Sequence, residues 1–417
     1  MIMKIYIKTF GCRTNIYDSE LIKSYIKDNE IINDELQADM IVINSCTVTN
    51  QADLGLKQYI RHIKNHNPNT KFILTGCAAA SIGKGLYDSK IVDGVMGASL
   101  KSNINKFILN PKEFDLGNLN FIDEKIVSNY ENHTKAFVKI QEGCDFACSY
   151  CIIPSVRGGA RSLKLEQIIN QIKTLANNGY KEVVLTGTNI GSYGKDLNLS
   201  LAKLLKEISK INGIKRVRLG SIEPVQIDDE FKELLDEDFI EKHLHIALQH
   251  TNEKMLKLMQ RRNKAYKDLE LFEYLANKGY ALGTDYIVGH PGESDEIWAD
   301  AINNFKKFPI THLHAFVYSK RDGTKSVELA KTLGEVDKNI SKQRLNEIKE
   351  ITRLKNYEFR KNQKDLIVLV EQFKDGYYQG YDQYFNLIKI KSDKDLLKTW
   401  INIKDYEVEI DKNKAIY

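Results

Sequence analysis

Strand-like apolar runs and helix-periodic stretches alternate along most of this chain, and few architectures accept that alternation. Near the N-terminus, residues 4–9, 40–44 and 71–75 read as strands, and residues 18–27 and 53–63 as helices between them. Strands separated by helices form a parallel sheet, whose carboxyl ends share one edge. A cysteine follows each of the three strands directly: Cys12, Cys46 and Cys77. The sheet edge therefore gathers three thiols that are far apart in sequence, with Gly11 and Gly76 allowing close backbone approach. One cysteine at a strand end is more often packing than a ligand. Three at equivalent positions predict a metal-binding set.

Residues 106–134 are polar and without period, and read as a connector after a first domain at 1–105. From 135 to 345 the alternation resumes, with strands at 136–140, 182–186, 216–219, 243–248, 284–288 and 312–318. Helical patterns at 165–177, 201–211 and 268–278 lie between them, so a partial or complete (β/α) barrel is expected. A basic helix follows at 346–365. The period then drops to two over 366–417, which reads as a small antiparallel β-barrel.

The loop after the first barrel strand holds Cys144, Cys148 and Cys151. A [4Fe-4S] cluster has four irons, and three thiolates leave one iron open for a small chelating ligand. A structural zinc knuckle is the competing reading, but it needs a second CxxC or histidines at helical spacing, and none follows within the next 80 residues. The chain's 6 cysteines all lie at or before Cys151, unlike the dense spacing of a disulfide scaffold.

Charged residues at 28% and apolar ones at 42% predict a soluble globular protein, and no run is long enough to cross a bilayer. A cytoplasmic location is expected. The net charge of +5 is unevenly spread: residues 320–364 hold 13 Lys and Arg against 7 Asp and Glu. That excess suits phosphate binding and equally suits an ordinary solvated helix. Tyr377, Tyr378, Tyr381, Tyr384 and Phe385 crowd beside Lys389 and Lys391, either to stack bases or to fill a small barrel.

Several motifs add a resemblance that runs through the whole chain. Thr9-Phe-Gly-Cys-Arg-Thr-Asn15 with Asp18-Ser-Glu20, Asn44-Ser-Cys-Thr-Val-Thr-Asn50, Thr75-Gly-Cys77 and Gln141-Glu-Gly-Cys144 are similar to those of the radical SAM methylthiotransferases. Ile152-Ile-Pro154, Arg157-Gly158 and Arg161-Ser162 fit the same pattern, as does Tyr150 before the third loop cysteine. The resemblance implies an N-terminal domain with an auxiliary cluster, a radical SAM barrel and a TRAM-like C-terminal domain. It implies two [4Fe-4S] clusters, on Cys144, Cys148 and Cys151 and on Cys12, Cys46 and Cys77. The first would reduce S-adenosylmethionine (SAM) to a 5′-deoxyadenosyl radical, and the second would carry the sulfur. Breaking an unactivated C–H bond lies beyond side-chain acids and bases, so a cofactor must supply that step.

The family's known substrates are two hypermodified adenosines beside the tRNA anticodon and an aspartate of a ribosomal protein. Leu185-Thr-Gly-Thr-Asn-Ile-Gly-Ser-Tyr-Gly194, Arg218-Leu-Gly-Ser-Ile-Glu-Pro224 and Leu313-His-Ala-Phe-Val-Tyr-Ser319 resemble the group acting on N6-threonylcarbamoyladenosine. Gln249-His250 departs toward the ribosomal-protein group, and Gly380-Tyr-Asp-Gln-Tyr384 lacks a threonine usual in TRAM domains. By the same resemblance, Thr186, Gly187 and Asn189 would lie near the SAM amino group. Ser221, Glu223 and Gln249 would meet its ribose or carboxylate, Asp285 and Gly289 would line the adenosyl side, and the backbone at Val317 would reach the adenine. Arg157 and Arg161 would pair a carboxylate or phosphate. His243, His245, His312 and His314 read as packed or hydrogen-bonded, and Gly289-His-Pro-Gly-Glu293 lacks the GK[ST] of a phosphate loop. The implied partners are the tRNA anticodon stem-loop and a reductant protein such as flavodoxin or ferredoxin, with the enzyme a monomer. A non-catalytic iron-sulfur protein that binds tRNA is the alternative from another class.

Overall fold

The computed structural model describes residues 2–131 and 133–417; Met1 and Asn132, the latter within the connector stretch, lie outside the described residues. Six parallel strands form the first sheet in the order Glu30–Ile31, Lys4–Phe10, Met40–Ser45, Lys71–Thr75, Gly94–Met96, Phe114–Asp115. Ile41, Ile43, Phe72 and Leu74 bury one face against Leu56, Ile60 and Ile63 of the helix Asn50–His66. Ile5, Val42 and Ile73 bury the other against Ile22, Ile104 and Phe107. Burial on both faces is why these strands read as unbroken apolar runs. The chain steps outward from Lys4–Phe10 to Glu30–Ile31, then returns past it to Met40–Ser45. The topological switch point thus lies between the strands that precede Cys12 and Cys46, where ligands of open α/β sheets bind.

The sheet runs into the stretch that reads as a connector, because the helix Ile104–Leu109 and the strand Phe114–Asp115 complete it. Both are too short for periodicity to register.

The central unit contains six parallel strands in two hydrogen-bonded sets. Ala136–Lys139, Glu182–Thr186 and Arg216–Leu219 form one, and His243–His245, Ala281–Val288 and Ile310–Val317 the other. Single parallel bridges, Val217 to Ile240 and Ile222 to Ile246, join the sets into an open barrel in sequence order. The helix Lys338–Lys361 closes it by burying Ile348, and it starts well before 346. Several of its cations are already engaged. Arg344 donates to Glu293 at 2.7 Å and Asp295 at 2.6 Å, Lys355 caps the carbonyl of Lys306 at 2.7 Å, and Arg360 reaches Asn413 at 2.8 Å. The charge of these three therefore serves packing, not phosphate.

The C-terminal unit is a curled six-stranded sheet around Val368, Val370, Ile388, Ile390 and Ile401. It is mixed, because Leu387–Lys391 pairs in parallel with Asn413–Ile416. Phe385 sits at its contact with the barrel, stacked on Tyr381 (centroids 4.8 Å apart) and on His243 (5.3 Å), with Arg218 over the ring. Tyr378 and Tyr384 pack on the sheet's core, so most of the aromatic crowd is structural.

Buried charge fixes this unit to the barrel. Arg218 and Arg216 each donate to Glu182 at 2.6 Å, and Arg218 also pairs Glu241 and donates to the Asp382 carbonyl at 2.9 Å. Arg216 donates to the Ile367 carbonyl at 3.1 Å. Truncating Arg218 takes the guanidinium partner from the buried Glu241 and leaves Glu182 with Arg216 alone, so Arg218→Ala is expected to cost about 3–5 kcal/mol in chemical unfolding. A loss below about 1 kcal/mol would show that the network is solvated.

Among the described residues no helix is long and apolar enough to cross a membrane.

Candidate cluster and cofactor site

The carboxyl ends of the N-terminal sheet and of the barrel face one another across a cavity of about 440 Å³, and all six cysteines line it. That volume lies in the usual range for cofactor sites.

On the first side, Cys12 is the N-cap residue of the helix Arg13–Tyr25 and Cys77 opens the helix Cys77–Ser81. Gly11, at φ +122°, lets the loop close on Cys46: a Cβ there would stand 2.5 Å from the Cys46 Cβ. Asn44 ties the strand ends together by donating to the Asn15 carbonyl at 2.9 Å.

On the barrel side, the Cys144 amide donates to the Gly158 carbonyl at 3.0 Å, which anchors the cysteine loop. Gly143 makes that possible at φ +78°, since a Cβ would lie 1.9 Å from the Gly159 carbonyl oxygen. Gly143→Ala is expected to cost more than about 2 kcal/mol and to lower iron in the set Cys144, Cys148 and Cys151, read by unfolding and by iron analysis. The far end of the loop is pinned by Ser149, whose amide donates to the Met259 carbonyl at 2.9 Å.

The donors around the sulfurs suit thiolate ligands. The amides of Phe146 and Ile153 point at Cys144 Sγ and Cys151 Sγ at 3.4 Å, Asn189 Nδ2 at Cys144 Sγ at 3.5 Å, and Arg261 Nη1 at Cys148 Sγ at 3.6 Å. Burial pushes the Cys46 and Cys151 thiols up to about 12 and raises Cys77 and Cys144 as well. N–H donors aimed at sulfur have full strength only once the sulfur is anionic, which bound iron achieves. None of the six is in a disulfide. The two sets therefore fit metal clusters. Asn189 Oδ1 is buried and has no hydrogen-bond partner, so it has an acceptor to spare.

The model of the Radical SAM superfamily matches residues 138–304, and that described as Uncharacterized protein family UPF0004 matches residues 4–97. A Helicobacter pylori (strain J99) protein, named only at family level as a methylthiotransferase, is 47% identical over 99% of this chain and 100% of its own length. The threonylcarbamoyladenosine tRNA methylthiotransferase MtaB of Aquifex aeolicus (strain VF5) is 36% identical over 93% of this chain and 100% of its own. This chain belongs to the radical SAM methylthiotransferases. Among solved structures, the radical S-adenosylmethionine methyltransferase TsrM from Kitasatospora setae, with cobalamin and a [4Fe-4S] cluster bound, matches with a TM-score of 0.61. It covers 80% of this chain and 78% of its own at 14% identity, and so speaks to the fold alone. The family works with SAM and [4Fe-4S] clusters, two of them in its methylthiotransferases.

In this methylthiotransferase, Tyr150, Gly187, Asn189, Ser221 and Glu223 line the cavity, with Gln249, Asp285, Val317 and Arg157. Gln249 stands at φ +66°, a costly backbone for a residue with a side chain, where it bridges to the strand Ala281–Val288 through the Asp285 carbonyl. Three expected residues face elsewhere. Thr186 shares a hydrogen bond with Thr14 at 3.1 Å between the two domains. The Gly289 amide donates to Glu293 at 3.0 Å, behind the strand end. Arg161 donates to the carbonyls of Phe121, Arg157 and Gly159, so it staples a loop instead of pairing an anion. Arg157 does pair carboxylates, but they are the protein's own, Asp18 at 2.9 Å and Glu142 at 2.6 Å.

Arg261 escaped the sequence. It donates to Glu223 through two nitrogens and reaches the Ala247 carbonyl. Its neighbour Arg262 lies instead over Phe146, at 4.0 Å. Nothing in the pair Arg261-Arg262 says which one turns inward.

The histidines divide. His243 is buried and His312 half-buried, in ring contact with each other, and loss of hydration pushes His312 down to about 3 and His243 well down, so both are neutral packing groups. His245 and His314 flank Asp285 at 3.2 and 3.7 Å. His250, where the substrate groups differ in sequence, is wholly buried against Tyr286.

Proposed function

We propose that this methylthiotransferase adds a methylthio group to C2 of N6-threonylcarbamoyladenosine beside the tRNA anticodon. The observation that carries the reading is the single cavity lined by both three-cysteine sets. A C–H to C–S exchange needs a radical source and a sulfur donor to face the same substrate atom, and two sets opening on one space provide that juxtaposition. Cys144, Cys148 and Cys151 would hold the cluster on which SAM binds, and that cofactor pair would supply the radical chemistry for the C–H bond.

The protein's own groups hold and orient. Asn189 would keep Cys144 in place through Nδ2 and receive the SAM amino group on Oδ1. Glu223 is clamped by Arg261, so Ser221 and Gln249 are the side chains left free for the ribose and carboxylate. Ile287, Val317 and Phe146 supply apolar walls that keep water out.

For the substrate, the cavity favours a polar, anionic N6 group over an isoprenoid one. Arg321, at 6% exposure, lines it with Nε and Nη2 unpartnered while Nη1 pairs Asp53. A threonylcarbamoyl carboxylate is the matching chemistry, and the name of the Aquifex relative supports the same substrate. Since His250 is buried, its departure from the subgroup pattern touches no substrate.

The test is nucleoside mass spectrometry of tRNA incubated with the anaerobically reconstituted, reduced protein and SAM. A gain of one methylthio group on threonylcarbamoyladenosine is expected. Modification of isopentenyladenosine alone, or of ribosomal protein alone, would replace the substrate assignment.

A further inference from the structure

Five charged side chains lie buried beneath Cys77, each with no more than 3% of its side chain exposed: Asp18, Lys101, Lys139, Glu142 and Arg157. Lys139 donates to Asp18 at 2.8 Å and Glu142 at 3.0 Å, Arg157 bonds the same two carboxylates, and Lys101 lies 3.6 Å from Asp18. Asp18 and Lys101 come from the N-terminal domain and the other three from the barrel, so the group spans the domain contact.

The charges do not balance. Three cations face two carboxylates, and a buried charge without a counter-ion is costly. Arg157 shows where the missing anion belongs. Its Nη1 serves Asp18 and Glu142, its Nη2 donates to Asn15 at 3.2 Å, and its Nε points out of the group at Cys77 Sγ, 3.1 Å away. A cubane core of charge 2+ with three thiolates carries one net negative charge. It matches the excess across that one contact.

We propose that this buried group is a fixed counter-ion for the cluster on Cys12, Cys46 and Cys77, with Arg157 as the positioning residue that sets its reduction potential. The proposal rests on the two-cluster reading above. An excess positive charge stabilises each added electron, so it holds the potential above that of a neutral setting.

The experiment is an EPR-monitored redox titration of the reconstituted holoprotein. The signal that changes on adding SAM marks the first cluster, and the other signal is the readout. Arg157→Gln is expected to move the second signal to lower potential and leave the SAM-responsive one in place, with Arg157→Lys closer to the unsubstituted protein. Glu142→Gln, which adds net positive charge with Arg157 intact, should move it to higher potential. A purely structural role predicts no such opposite pair, and Glu142→Gln decides the matter if Arg157→Gln fails to fold. Unchanged midpoints at full iron content overturn the proposal alone. A single signal with about four irons per chain in the unsubstituted protein overturns the two-cluster reading and the proposal with it.

Discussion

Cys144→Ala is expected to abolish SAM cleavage, with 5′-deoxyadenosine falling below detection and iron dropping by about four per chain. The loop offers three sulfurs and no spare. The remaining cysteines line the opposite wall on loops held by their own sheet, where the Cys46 amide donates to the Phe10 carbonyl at 3.0 Å. The fold should survive, because the loop stays tied through Ser149, which bonds Met259 and receives the Ser326 amide at 2.8 Å. Loss of activity with an unchanged unfolding midpoint is therefore the expected pair of results. Cleavage persisting at the unsubstituted rate would remove these three cysteines from the reaction.

The second large effect separates the two sets. Cys12→Ala should leave SAM cleavage within a few fold of the unsubstituted protein while methylthiolated nucleoside disappears. Cys12 is the clean choice, since its Sγ hydrogen-bonds Asn15 at a long 3.6 Å, whereas Cys77 is the outlet of a buried charge group. Iron should again fall by about four per chain. Product formation by this variant at near-normal yield would show that the N-terminal set does not deliver the sulfur, whatever metal it holds.

The fold was largely legible because its signals are local. Parallel strands buried on both faces read as apolar runs, and a residue directly after such a run must sit at the sheet's carboxyl edge. Cys12, Cys46, Cys77 and the loop Cys144 to Cys151 are therefore placed by their sequence positions alone. Elements as short as Phe114–Asp115 leave no period, and some patterns have two physical meanings. The cations of Lys338–Lys361 and the aromatics near Phe385 look the same in sequence whether they meet nucleic acid or another part of the protein.

The sequence by itself determined the strand and helix order, the two cysteine sets and the family to which the chain belongs, because spacing along the backbone carries all three. Only the tertiary structure decided which charges are used up. Arg157 and Arg161 stand four residues apart in one motif, yet one turns its Nε to Cys77 and the other caps backbone carbonyls. Arg261 and Arg262 are adjacent, yet one clamps Glu223 and the other lies on Phe146. A guanidinium reaches far from its own backbone, and its partner is chosen by the elements that happen to converge around it, a fact that exists only once the domains have packed.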